Sequence, residues 1–174
     1  LEKTGVGYVF HPDAREIYAD NYEVRVDETA VSRELEGEFR PGHFGGMMTV
    51  VLKLLNIIQA DRAYFGEKDY QQYLLVKKMA SALFLTAKIV PCPTLRAEDG
   101  LALSSRNARL TPEQRAKAPE IHRLLTSDMD DAGVMRKLAE SGFRPEYVVT
   151  RWGRRLCAAW LGDVRLIDNV PKGE

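Results

Sequence analysis

The sequence predicts an α/β protein: a parallel sheet with helices on its faces, followed by a smaller α+β unit. Two observations carry this. Residues 43–90 run helix, strand, helix, strand, the crossover spacing that parallel strands require. After Leu110 the pattern changes to helical stretches and then three short strand patterns, which puts the boundary between units at 1–110 and 111–174.

Taken in order, residues 7–10 form a short strand candidate stopped by His11-Pro12, and residues 22–26 alternate apolar and polar with the strand period of two. Residues 31–38 read as a short helix ended by Gly37 and the turn Arg40-Pro41-Gly42. Over 43–59 the apolar positions Met47, Val50, Val51, Leu54, Leu55 and Ile58 recur at three and four, a helix with one broad buried face. Residues 62–65 make a strand entering Gly66, residues 70–85 a second amphipathic helix, and residues 87–90 a strand closed by Pro91 and Pro93. Thr111-Pro112-Glu113-Gln114 is a capping box opening a helix toward Leu125. A helical pattern over 134–141 ends at Gly142. Strands follow at 147–149, 155–160 and 164–167, the last two joined by the turn Gly162-Asp163.

The 174 residues carry 25 Lys+Arg and 25 Asp+Glu, so no global field draws the chain to nucleic acid or an anionic membrane. With 45% hydrophobic and 29% charged residues it is an ordinary globular composition rather than a disordered, collagenous or coiled-coil one. The most apolar run, 50–58, is broken by Lys53 and Asn56 and falls short of the roughly 18–20 residues of a membrane span. Cys92 and Cys157 have neither disulfide-scaffold nor zinc spacing, and no metal-ligand cluster is expected. A cytoplasmic location follows from reduced cysteines and missing signals. Because Leu1 is not an initiator Met, the chain is expected to begin inside a longer protein.

Three polar segments can carry chemistry. Gly66-Glu67-Lys68-Asp69-Tyr70-Gln71-Gln72 lies where a strand ends and a helix begins, so backbone N–H groups and Lys68 can meet phosphate, Asp69 can accept from ribose, and Gln71 or Gln72 can bond a carboxylate. The same residues also suit a solvated helix start. Ser104-Ser105-Arg106 supplies several donors in one loop, suited to phosphate oxygens or simply to local turn bonds. His43 and Arg40, at the head of the long helix, suit either an anion or a helix entry. His11 and His122 have no ensemble in the sequence. No Lys/Arg stripe interleaves with aromatics, so a nucleic-acid platform is unsupported.

Arg40-Pro41-Gly42-His43-Phe44-Gly45-Gly46, then residues 65–72, then 99–107, in this order and spacing, resemble the pantothenate synthetase (pantoate–β-alanine ligase) family. Ala158-Ala159-Trp160-Leu161-Gly162 with Arg165-Leu166-Ile167-Asp168-Asn169 is similar to the same family's C-terminal hairpin. The resemblance implies a Rossmann-like domain of the HIGH-motif nucleotidyltransferase superfamily with a small C-terminal domain over the site, usually in a homodimer. It implies that ATP and pantoate form pantoyl adenylate and pyrophosphate, that β-alanine then displaces AMP to give pantothenate, and that Mg²⁺ assists.

By position, the resemblance puts Gly66, Glu67, Lys68 and Asp69 on the nucleotide-binding turn, Gln72 on a pantoate-binding glutamine, and Leu95 where backbone meets adenine. Leu103, Ser104, Ser105 and Arg106 match the mobile phosphate loop, so Lys68, Ser104, Ser105 and Arg106 are the expected transition-state stabilisers, with Arg40 and His43 on the substrate side. Two departures stand out. The family's Pro-Thr-Met-Gly and His-x-Gly-His segments have no match here, and 127–130 and 150–153 read as joined pieces. These 174 residues alone are therefore expected to show little ligase activity. The alternatives are another nucleotidyltransferase on the same fold, or a nucleotide-binding fragment without catalysis.

Overall fold

The protein is described here by a computed structural model covering residues 2–172. Its first unit is built on two parallel strands, β1 (Arg62–Gly66) and β2 (Lys88–Cys92), paired from Arg62↔Lys88 to Gly66↔Cys92. Before them come two short helices, α1 (Ala14–Ile17) and α2 (Glu36–Phe39), and the long α3 (His43–Ile58). Helix α4 (Tyr70–Ala82) makes the crossover between the strands, and Phe44 and Met48 of α3 pack with its Leu75, Val76 and Met79. The carboxyl ends of both strands therefore open onto the same side, where ligands of parallel sheets are bound.

Several expectations shift here. Residues 7–10 and 22–26 form no strand: period-two alternation supplies a pattern but no partner, and Val24 is 71% exposed. Side chains cap this backbone instead, with the Val26 N–H donating to Thr49 Oγ1 at 3.0 Å and the Val24 N–H to Asp20 Oδ2 at 3.1 Å. The helix expected over 31–38 splits into a 3-10 turn, Val31–Arg33, and α2, because Leu35 takes the left-handed conformation at φ 47°. The buried face of α3 is Phe44, Met48 and Thr49, whereas Ile57 and Ile58 are exposed. A helix apolar on most sides does not reveal by its spacing which side meets the sheet.

The second unit opens with the expected capping box: Thr111 Oγ1 accepts from the Gln114 N–H while the Gln114 side chain accepts from the Thr111 N–H. The expected single helix is two, α5 (Pro112–Lys117) and α6 (Glu120–Leu125), since Pro119 has no N–H to continue the ladder. Helix α7 (Asp131–Glu140) is capped by Asp130 and is followed by Gly142 at φ 82°. Strands β3 (Arg144–Arg151), β4 (Arg154–Leu161) and β5 (Val164–Pro171) form an antiparallel meander, β3 and β4 longer than expected at both ends and β5 at its C-terminal end.

The turn Gly162-Asp163 is as expected, and Trp152-Gly153 makes a second two-residue turn with both residues left-handed. Pairing runs unbroken through Thr150↔Arg155 and Arg151↔Arg154, and Arg155 donates to the carbonyls of Leu125, Ser127 and Met129. Residues 127–130 are thus the connection from α6 to α7, and 150–153 the end of β3 with its two-residue turn. Ile121, Leu124, Leu125, Val134 and Leu138 pack against this sheet, joined by Leu101 from the connection after β2.

Candidate active site

Two adjoining hollows lie between the carboxyl ends of β1 and β2 and the strand β5. The larger, open to solvent, is lined by Arg40, His43, Lys68, Asp69, Gln72 and residues 167–169 among others. The smaller is lined by Lys68, Ser104, Arg106 and Asn107 on one side and by Arg165, Leu166, Ile167 and Asp168 of β5 on the other. Lys68 borders both.

The strand β1 ends at Gly66, whose φ of −69° is ordinary and above which a Cβ would meet nothing within 4 Å. Open space, not backbone strain, is what glycine leaves there. A 3-10 turn, Glu67–Asp69, then leads into α4. Lys68 Nζ stands 3.7 Å from Asp69 Oδ2 with its side chain 16% exposed, so the ammonium is shielded yet only loosely paired. Glu67 faces away: its carboxylate lies 3.5 Å from Arg154 Nη1. Gln71 and Gln72 both border the hollow, and Gln71 is also tied to the fold, its amide donating to the Val31 and Glu34 carbonyls at 2.7 Å.

After β2 the chain makes a small hairpin that returns through Gly100, closed by the bridge Arg96↔Ala102 and by the Leu103 N–H donating to the Leu95 carbonyl at 2.9 Å. Ser104 then caps a 3-10 helix, Ser105–Arg109, its Oγ accepting from the Arg106 N–H at 3.2 Å. Ser104 and Arg106 face the smaller hollow. The side chains of Leu95 (73% exposed) and Leu103 (53% exposed) do not border either hollow, nor does Ser105.

The root of that hairpin is held by Arg96, which bonds Asp168 through both nitrogens at 2.7 and 2.9 Å, and also reaches the Gly100 carbonyl at 3.0 Å. At the other end of β5, Arg165 donates to Glu36 at 2.6 and 2.7 Å and to Glu146 at 2.7 and 2.8 Å, while Tyr147 OH donates to Glu36 at 2.7 Å. Burial pushes the Glu36 carboxyl up, but the Arg165 guanidinium and the Tyr147 hydroxyl outweigh it and hold it below its usual range. Burial and the Glu36 charge push the Tyr147 phenol up, keeping it a donor. His43, which borders the larger hollow, is held below the ordinary imidazole value, first by burial and then by Arg40.

The family model described as pantoate-beta-alanine ligase matches residues 1–171. The chain belongs to the pantoate–β-alanine ligase family. It is 48% identical to a pantothenate synthetase of Bdellovibrio bacteriovorus and 46% identical to one of Legionella pneumophila, in each case over 97% of this chain and 67% of the relative. The chain thus spans about two thirds of the length of these curated relatives. Among solved structures, the pantoate–β-alanine ligase of Francisella tularensis, complexed with β-γ ATP and β-alanine, superposes with a TM-score of 0.91 at 39% identity over 98% of this chain and 66% of that one. The pantothenate synthetase of Thermus thermophilus gives 0.88 at 38% identity, over 99% and 72%. The α/β fold expected from the sequence is the fold of this family.

Of the ligase-family positions singled out in the sequence, the fold gathers Arg40, His43, Lys68, Asp69, Gln72, Ser104 and Arg106 around the two hollows. Gly66 and Glu67 adjoin them in sequence without bordering them. Sequence reasoning assigned no site role to the polar residues of β5 or to Glu36, and placed Arg96 in a polar loop without its partner Asp168. One signal was available: Asp168-Asn169 places two polar residues side by side in a strand whose neighbours are apolar.

Proposed function

We propose that the protein is an ATP-dependent ligase that condenses pantoate with β-alanine to pantothenate through pantoyl adenylate, releasing pyrophosphate and AMP. The observation that supports this best is that Lys68 and the Ser104–Arg106 segment, which follow different strands, border one hollow. A carboxylate is a poor acyl donor, so it must be activated before an amine can displace its oxygen. A pantoate carboxylate oxygen attacks the α-phosphorus of ATP and pyrophosphate leaves. The β-alanine amine then attacks the acyl carbon, AMP leaves, and the amine gives up a proton.

Negative charge builds on phosphoryl oxygens in the first step, and Lys68, Ser104 and Arg106 are donors beside that space. Arg40, His43 and Gln72 border the larger hollow, where a small hydroxy acid is held in line for attack. Gly66 leaves room for the nucleotide at the turn, with Asp69 toward ribose, the backbone near Leu95 meets the adenine, and Leu103 belongs to the phosphate loop. Ser105 joins the donors when the loop moves over bound phosphates. The chemistry asks for no side-chain nucleophile.

Among the described residues no three His, Cys, Asp or Glu side chains converge as a metal cage. The residues fit a Mg²⁺ ion carried on phosphate oxygens and water, where it would neutralise their charge. A homodimer belongs to the same proposal, and exposed Ile57, Ile58 and Tyr64 are apolar surface suited to a second copy. A cytoplasmic location is proposed from the two free cysteines and the need for ATP; no helix among the described residues is long and apolar enough to cross a membrane. The deciding experiment is pantoate-dependent exchange of pyrophosphate into ATP by the full protein. Exchange that needs pantoate supports the ligase, exchange driven by a different acid supports another nucleotidyltransferase, and ATP binding without exchange supports a non-catalytic role.

A further inference from the structure

We infer that Asn169 is a positioning residue that sets the register between the Lys68 turn and the loop after β2. Its kinetic consequence rests on the ligase reading above, and its structural consequence does not. All four polar groups of Asn169 are engaged. The side-chain amide donates to the carbonyls of Glu67 and Lys68, both at 2.9 Å, and so grips the turn that carries Lys68. Its Oδ1 accepts from Arg154 Nε, and that guanidinium also lies 4.7 Å from the centre of the Tyr70 ring and 3.5 Å from the Glu67 carboxylate. The backbone N–H donates to Asp168 Oδ1 at 2.7 Å, and the backbone carbonyl accepts from Arg96 Nη2 at 3.2 Å. Arg96 in turn holds Gly100 at the tip of the hairpin that leads to Ser104.

One residue thereby touches both strand-end segments, at sequence separations of 101 and 73 from Asn169. It is 2% exposed, so its amide has no water to replace these partners. A carboxylate of the same shape would keep the bond from Arg154 and turn two donors into acceptors facing two carbonyls. The two phosphate-side donors need a fixed separation to share one phosphoryl group, and a misplacement on the order of 1 Å can lower a rate by about 10².

The test is Asn169→Asp in the full protein, alone and combined with Lys68→Ala. Hydrogen exchange of the amides at 66–70 should rise about 10-fold or more while central amides of β3 and β4 keep their rates. Pantoate-dependent pyrophosphate exchange should fall about 10-fold when Lys68 is present and less than about 2-fold when it is already Ala, because coupled residues are not additive. Unchanged exchange at 66–70, a uniform rise across the sheet, or an equal loss in both backgrounds overturns the positioning role. If Asn169→Asp does not fold, Asn169→Ala is read in the same way, and failure of both to fold assigns Asn169 a purely structural role and overturns this one. If the unmodified protein shows no pantoate-dependent exchange, the ligase reading fails, and the amide measurement still decides the anchoring.

Discussion

The Lys68 turn and the Ser104–Arg106 loop follow neighbouring parallel strands and border one hollow, yet they are held in opposite ways. The turn is gripped along its backbone by Asn169 and across its side chains by Arg154. The loop is anchored at its root, through Arg96 and Asp168, and by Asn107 donating to the Ala102 carbonyl at 3.0 Å, while it carries a guanidinium at Arg106 that has no protein partner among the described residues. A fixed donor on one side and a releasable one on the other is what a site needs if it must admit a bulky triphosphate and then surround it. Preorganisation is concentrated in the turn, and adaptability in the loop.

The largest expected effect breaks the anchored part. Asp168→Ala leaves the Arg96 guanidinium without its bidentate partner in a site where Asp168 is 5% exposed. Removing one member of such a pair costs about 3–5 kcal/mol, to be read from urea denaturation. A loss below about 1 kcal/mol would mean that the root is not held by this pair. Next, Lys68→Ala should lower pyrophosphate exchange by about 10² or more while leaving the melting temperature nearly unchanged, since its nearest partner is 3.7 Å away. Arg106→Ala sharpens the contrast: about 10-fold in exchange, with stability within about 0.5 kcal/mol. An Arg106 variant that melts early would show that the tip is tethered after all.

How much of this was legible in the sequence differs between the two parts. The candidates Lys68, Ser104 and Arg106, which border the smaller hollow, could be picked out because each stands in a local pattern: a lysine just after a glycine at a strand end, hydroxyls before an arginine. The capping box at Thr111 and the Gly162-Asp163 turn were legible for the same reason, each being set by residues within three positions. Glu36 and Arg165 were not, since their pairing spans 129 positions and only folding brings them together. Residues 22–26 failed in the opposite way: the local pattern was there, but no strand edge lay beside it. The side of α3 that packs was likewise decided by the partner, Leu75 and Val76 of α4, and not by the helix's own spacing.

Two smaller effects probe the hairpin between root and tip. Gly100 has φ 89°, and a Cβ there would come within 2.8 Å of His122 Cδ2. Gly100→Ala should therefore lower stability by about 1–3 kcal/mol, and adding His122→Ala should recover only the steric share, leaving the backbone strain. His122 itself is held below the ordinary imidazole value, first by burial and then by the Arg96 charge, against the opposing pull of Asp168 at 3.7 Å. Its Nδ1 is buried without a hydrogen-bond partner. The unfolded chain therefore binds this proton more readily than the folded one. The stability that a neutral His122 contributes is full above the ordinary value of about 6.5 and is lost as pH falls below it toward the depressed folded value. Thermal midpoints taken at about pH 7.5 and about pH 5.5 should fall with pH, and the fall should shrink in His122→Gln. The same slope in that variant would move the titration to other groups, such as His43, and leave the hairpin root insensitive to protons.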